Sequence, residues 1–237
     1  MYKTVVNANQ NSGIINSQMA ATRALLRCGV AAGPLFLLIF VIQILARPEF
    51  RFTRSEPSLL SLGPIGWLQI VNSVLGGLLV IAGALGMRRV LHSGKGGFWG
   101  PLLFVVFGVG QIGVGVFVVD PIRSPESTTL HGTMHLVFGG IGFVALTAAC
   151  FVYVRAFVSQ KMRVWATFCA MTGLIFLAAF LSAATVNQGA TNVQYFLNLI
   201  FVLEWIWVSS ISAQVLRILS MLRAGQRTAP TVALERL

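Results

Sequence analysis

The residues best suited to chemistry crowd into one stretch, Phe117-Val-Val-Asp-Pro-Ile-Arg-Ser-Pro-Glu-Ser-Thr-Thr-Leu-His-Gly-Thr-Met-His135. It holds Asp120, His131 and His135 in a chain with six acidic residues and three histidines. Ser127, Thr128 or Thr129 can N-cap a helix that follows. His131 and His135 then share one face of that helix, about 6 Å apart at a rise of 1.5 Å per residue. A helix N-terminus disfavours a protonated imidazole, which leaves His131 neutral and able to ligate. Two histidines at i and i+4 suit a divalent metal such as zinc, with Asp120 as a third ligand or as the group that orients a ring. The same three side chains equally suit polar-ligand binding, acid–base work, or hydrogen bonds that only cap a helix and fix a loop. Asp120, His131 and His135 are candidates for catalysis, and the residue pattern assigns them no reaction.

A second lead is Glu204, the one acidic residue deep inside an apolar segment. A carboxyl there is costly in hydrocarbon, so it should face other helices and find a partner. It serves either as structural glue or in a proton, ion or ligand pathway. Gln43, Gln69, Asn72, Ser73, Gln111 and Asn198 occupy the same half of their segments. Gln69, Asn72, Ser73 and Gly76 recur at the spacing of one helix face. Unpaired amides in lipid cost several kcal/mol each, so these groups should converge. They form a polar pocket or a sealed hydrogen-bond network. In the pocket reading Asp120, His131 and His135 make the rim, and Gln69, Asn72, Gln111 and Glu204 the floor.

The elements that carry these residues follow from composition. Of 237 residues, 56% are hydrophobic and only 10% charged. Soluble domains carry roughly a quarter charged residues, so lipid is the solvent this chain expects. Six apolar segments, at about 28–46, 64–87, 98–119, 129–154, 163–184 and 193–219, are each long enough to span as a helix. The expected fold is an all-α, polytopic bundle of six transmembrane helices. A cytoplasmic tail (1–22), the bundle (23–220) and a second cytoplasmic tail (221–237) divide the chain, and both tails read as weakly ordered. Asp120 should end the third helix. The longest connection, residues 47–63, should lie along the outer surface.

The net charge of +11 would suit nucleic acid in a soluble protein, but here the basic residues sit between apolar blocks and form no continuous face. Topology explains them instead. With the N-terminus inside, 13 of the 17 Lys and Arg fall on the inner side, and only Arg47, Arg51, Arg54 and Arg123 outside. That orientation places both termini in the cytoplasm, in a protein of the cell membrane. The partners expected are the bilayer and a small-molecule or lipid ligand.

Two other patterns are structural. Gly108-Val-Gly-Gln-Ile-Gly113 spells a dinucleotide fingerprint, but within an apolar helix it lacks the strand that such a turn follows. Gly29, Gly33, Ala82, Gly86, Gly108, Gly113, Gly115, Gly139 and Gly140 read as small residues that let helices approach closely. Cys28, Cys150 and Cys169 show neither metal nor disulfide spacing.

The Phe117-Val-Val-Asp-Pro121 and His131-Gly-Thr-Met-His135 motifs carry a family resemblance. With a Gly-rich third helix before them, they resemble the prokaryotic membrane family called domain of unknown function 998, over roughly residues 30–215. The resemblance implies six spans and a membrane location, and no activity. Family members often have Pro where this chain has Val118, with Asp120 still in register. A weaker similarity is to intramembrane hydrolases of the alkaline ceramidase and adiponectin-receptor type, which use zinc held by three histidines. Here the third histidine, His92, falls in an inner loop, so Asp120 would have to complete the set.

Three functions follow as expectations. The first is an outward-facing polar pocket that binds a small ligand or lipid headgroup, or serves a structural or sensory subunit. The second is a metal-dependent intramembrane hydrolase using Asp120, His131 and His135. The third is a proton- or ion-coupled transporter using Glu204.

Overall fold

Hydrocarbon offers a backbone no hydrogen-bond partner, so each apolar run satisfies its own N–H and C=O groups by coiling. The computed structural model describes residues 2–91, 94–121, 129–185 and 191–234, and every regular element among them is helical. The long helices are α1 (Tyr2–Leu45), α2 (Trp67–Val90), α3 (Gly94–Val116), α4 (Leu130–Ser159), α5 (Arg163–Thr185) and α6 (Thr191–Leu234). All six contain a stretch long and apolar enough to cross a membrane, from Ser17–Leu45 in α1 to Gln194–Ala224 in α6. Large apolar side chains such as Leu38, Leu78, Ile141 and Leu174 point outward, as a lipid-facing surface requires. The protein is a multi-pass membrane bundle.

Successive helices from α1 to α5 pack side by side, and α6 returns against α1, with a lighter contact to α5. Lipid tails are as apolar as leucine, so close packing and polar contacts hold such a bundle together. Glycines provide the approach. A Cβ on Gly83 of α2 would come within 2.7 Å of the Gly29 Cα of α1. The fingerprint-like run is used in this way too: Gly108 faces the Gly77 carbonyl of α2, and Gly110 faces Gly142 of α4. Pro34 breaks the amide ladder of α1 at the α6 contact, and there the Gly33 amide donates to Ser209 Oγ at 2.9 Å. Trp205 and Trp207 are wholly buried, and Trp205 stacks on Phe36 with ring centroids 3.8 Å apart.

The described backbone of both tails is helical, with α1 starting at Tyr2 and α6 continuing to Leu234. One expectation changes. Helix α3 ends at Val116, so Asp120 lies beyond the helix and not at its end. Pro121 disfavours helical backbone at Asp120, and the chain has already left the helix by Val118. The connection of residues 47–63 keeps Glu49, Arg51 and Arg54 exposed. It folds onto the end of the bundle, where its short 3-10 helix, Pro57–Ser61, buries Leu60 completely. Asn198 of α6 holds it there, its amide donating to the carbonyls of Phe52 at 2.6 Å and Ser55 at 2.9 Å. His92, Ser127 and Thr128 lie outside the described residues.

Candidate functional site

The stretch between α3 and α4 is tied from both of its ends. Thr129 is the N-cap of α4, and its hydroxyl accepts the Gly132 amide at 3.1 Å. Thr129 in turn donates to Asp120, through its amide to Oδ2 at 2.9 Å and its hydroxyl to Oδ1 at 2.7 Å. The carboxylate therefore sits over the positive end of the α4 dipole. These two bonds, the side-chain one first, hold the Asp120 carboxyl below its ordinary value, and the nearby His131 and His135 add to the effect. Gly132 has no side chain for a reason: a Cβ there would collide with Asp120 Oδ2. Asp120 and Gly132 thus belong to one clamp.

His135 makes the second tie. Its Nδ1 lies 2.8 Å from the Phe117 carbonyl, one of the orphan acceptors left where α3 ends. A carbonyl only accepts, so Nδ1 is the donor in this contact. His131 points elsewhere. It is exposed, with its ring centroid 5.6 Å from that of Phe117. Among the described residues, no group of three or more His, Cys, Asp or Glu side chains is placed to hold a metal ion.

The amides of α1 and α2 form a network. Gln43 donates to Gln69 Oε1 at 2.8 Å, and Asn72 donates to the Phe36 carbonyl at 3.1 Å. The amide nitrogens of Asn72 and Gln43 join the two helices, while Gln43 Oε1 is buried with no partner among the described residues.

Beside this network lies a cavity of about 420 Å³, in the half of the bundle nearest the 47–63 connection. That volume falls within the roughly 300–1,000 Å³ range of small-molecule sites. Gln69, Gln111, His135 and Glu204 line it; Asn72, Asp120 and His131 do not. Glu56, Pro57 and Ser58 form its roof. Glu204 is 7% exposed, and its carboxyl has no hydrogen-bond partner among the described residues, contrary to the expected pairing. Gln111 likewise brings an amide to the cavity with no bond to another described residue.

Some lining residues cannot be picked out by type. Gly139 and Gly140 read in the sequence as close-contact glycines, yet a Cβ on Gly140 would meet nothing within 4 Å. Both line the cavity, and their missing side chains leave space there. Glu56 joins the lining only because the connection folds back, a signal absent from local sequence, and Gln194 joins it from the first turn of α6.

Six spanning helices around a partly polar internal cavity define an integral membrane protein with a candidate binding site. The chain belongs to the family described as protein of unknown function (DUF998), which matches residues 30–214. No curated protein and no solved structure matches it.

Proposed function

We propose that this protein binds a small ligand or lipid headgroup in the cavity between its helices. The observation that carries the reading is Glu204, a buried carboxyl that lines the cavity and has no hydrogen-bond partner among the described residues. Stranding such a group in a membrane protein costs stability, and a ligand that supplies a donor would offset the cost. Gln111 and Ser73 offer further polar atoms around the same space. The excess of basic residues near the termini supports an N-in, C-in orientation in the cell membrane, with the roofed end of the cavity outside.

The test is extraction of molecules retained by the detergent-purified protein, identified by mass spectrometry. A species held by the wild type and lost from Gly140→Leu, which fills the cavity, is expected; identical extracts from the two would sink the reading. A second reading, proton- or ion-coupled transport, draws on the same unpartnered carboxyl. It requires that Glu204→Gln abolish pH-dependent uptake in proteoliposomes.

A further inference from the structure

The cavity has two unlike sides. Its polar side includes Gln69, Gln111, Asn198 and Glu204 of α2, α3 and α6, with Glu56 and Ser58 of the connection at the roof. Toward α4 and α5 the wall is apolar apart from His135, and is made of Leu136, Gly139, Gly140, Phe143, Ala179 and Phe180. Leu136 is 50% and Phe180 46% exposed, so this wall is continuous with the surface that faces lipid. Gly140 is exposed as well, and nothing stands within 4 Å of where its Cβ would be. The end of the bundle, by contrast, is roofed by the turn at Glu56–Ser58, which Asn198 ties down.

Charge narrows the choice of ligand. The chain carries 17 basic and 6 acidic residues, yet the described cavity lining includes Glu56 and Glu204 and no Lys or Arg. An anionic phosphate or carboxylate would meet the Glu204 carboxyl with no Lys or Arg among the described lining residues to balance it. A protonated amine would pair with Glu204 and leave amide and hydroxyl acceptors for its remaining protons.

Building on the binding reading, we propose that the ligand is a single-chain amphiphile with a cationic amine head. It reaches the cavity sideways from the bilayer, between α4 and α5. The head lies against Glu204 and Gln111, and the chain leaves past Gly140 between Leu136 and Phe180.

The experiment uses the full chain in phosphatidylcholine vesicles and a hexadecylamine with a diazirine in its chain. The matching alcohol and carboxylic acid serve as head controls, and a water-soluble butylamine diazirine as a probe without a tail. Labelled peptides are mapped by mass spectrometry. Long-chain amine label is expected on the Leu136–Phe143 and Phe180 segments, above the level on the lipid-facing side of α2 around Leu78. The amine should exceed the acid there by roughly tenfold, which is about 1.4 kcal/mol. Glu204→Gln should reduce the preference for amine over alcohol, and Gly140→Trp should remove label from the polar side of the cavity. Gly140→Leu provides a smaller plug if the tryptophan variant folds poorly. Label from butylamine in the cavity, unaffected by Gly140→Trp and without label from hexadecylamine, would overturn the bilayer route and leave the binding reading standing. Cavity label from neither amine would overturn both. Equal labelling by amine and acid would overturn the assignment of the head.

Discussion

Thr129 holds both oxygens of the Asp120 carboxylate, one with its amide and the other with its hydroxyl, and the same hydroxyl caps α4 through the Gly132 amide. A pair of residues nine positions apart thereby closes the connection between two membrane helices. Asp120 serves the fold here by anchoring the helix start whose next turn carries His135 into the cavity wall.

Breaking this clamp should loosen the connection. Thr129→Ala removes the cap and the hydroxyl bond to Asp120, and a lost cap alone costs about 1 kcal/mol. Gly132→Ala is the sharper test. In an open helix the change would gain roughly 0.5–1 kcal/mol, but here the new methyl displaces the Asp120 carboxylate and the variant should melt lower than wild type. Thermal unfolding in detergent checks both, and a Gly132→Ala protein that melts higher would refute the clamp.

The clamp also predicts a pH dependence. The folded-state value of Asp120 is depressed, so its contribution is present above the ordinary carboxyl value of 3.8 and is lost as pH falls through the lower folded one. Wild type should therefore exceed Asp120→Asn in stability at every pH above that region. Further acidification should erase the difference. Melting temperatures of the two proteins across this range decide it; a margin that grows as pH falls below the ordinary carboxyl value has the wrong sign.

Two glycines of similar appearance should respond oppositely to a side chain. Gly83 meets the backbone of Gly29, so Gly83→Val forces α1 and α2 apart, at a cost of about 1–3 kcal/mol or more. Gly140→Ala meets only open space, and the helix propensity of alanine should leave the protein as stable as wild type or more so. Melting temperatures measured side by side test the contrast.

This contrast also marks what could be read from the chain alone. The six spans were legible because a run of apolar residues has one folded solution in lipid, and the convergence of Gln43, Gln69 and Asn72 followed from the cost of a lone amide. A glycine, however, does not say whether its missing Cβ is replaced by a neighbouring helix, as at Gly83, or by open space at an exposed position, as at Gly140. The clustering of Asp120, His131 and His135 was visible, but not their separate orientations. Those depend on where α3 ends and on which backbone carbonyl that end leaves for His135. The roof was hidden for another reason: the bond from Asn198 to the Phe52 carbonyl joins residues 146 positions apart.

The roof supplies its own prediction. Asn198→Ala strands the Phe52 carbonyl, at about 1–3 kcal/mol for a buried group left unsatisfied, and leaves the Ser55 carbonyl only the longer bond from Gln194 at 3.5 Å. Asn198→Asp should be worse, because a carboxylate oxygen would replace the amide donor against two carbonyls. A cysteine placed at Ser58 should react faster with a water-soluble maleimide in both variants than in the otherwise wild-type protein. Unchanged reactivity would show that Asn198 does not hold the connection down.

Glu204 should exchange stability against binding. With no partner among the described residues, its carboxyl is a destabilising group in the empty protein, held among Phe36, Phe107 and Phe201 at the cavity wall. Replacing a buried, unsatisfied polar group by an apolar one of similar size recovers its desolvation penalty, about 1–3 kcal/mol. Glu204→Leu should therefore raise the melting temperature of ligand-free protein while abolishing retention of an amine-headed amphiphile. Glu204→Gln keeps the shape and hydrogen-bonding capacity but removes the chance of ionisation, so it should retain the corresponding alcohol and lose its preference for the amine. A structural role predicts a different pattern, in which both variants melt lower and ligand retention falls only with folded protein. Melting temperature and ligand retention measured on the same preparations separate the two, because binding predicts opposite signs for Glu204→Leu and structure predicts the same sign.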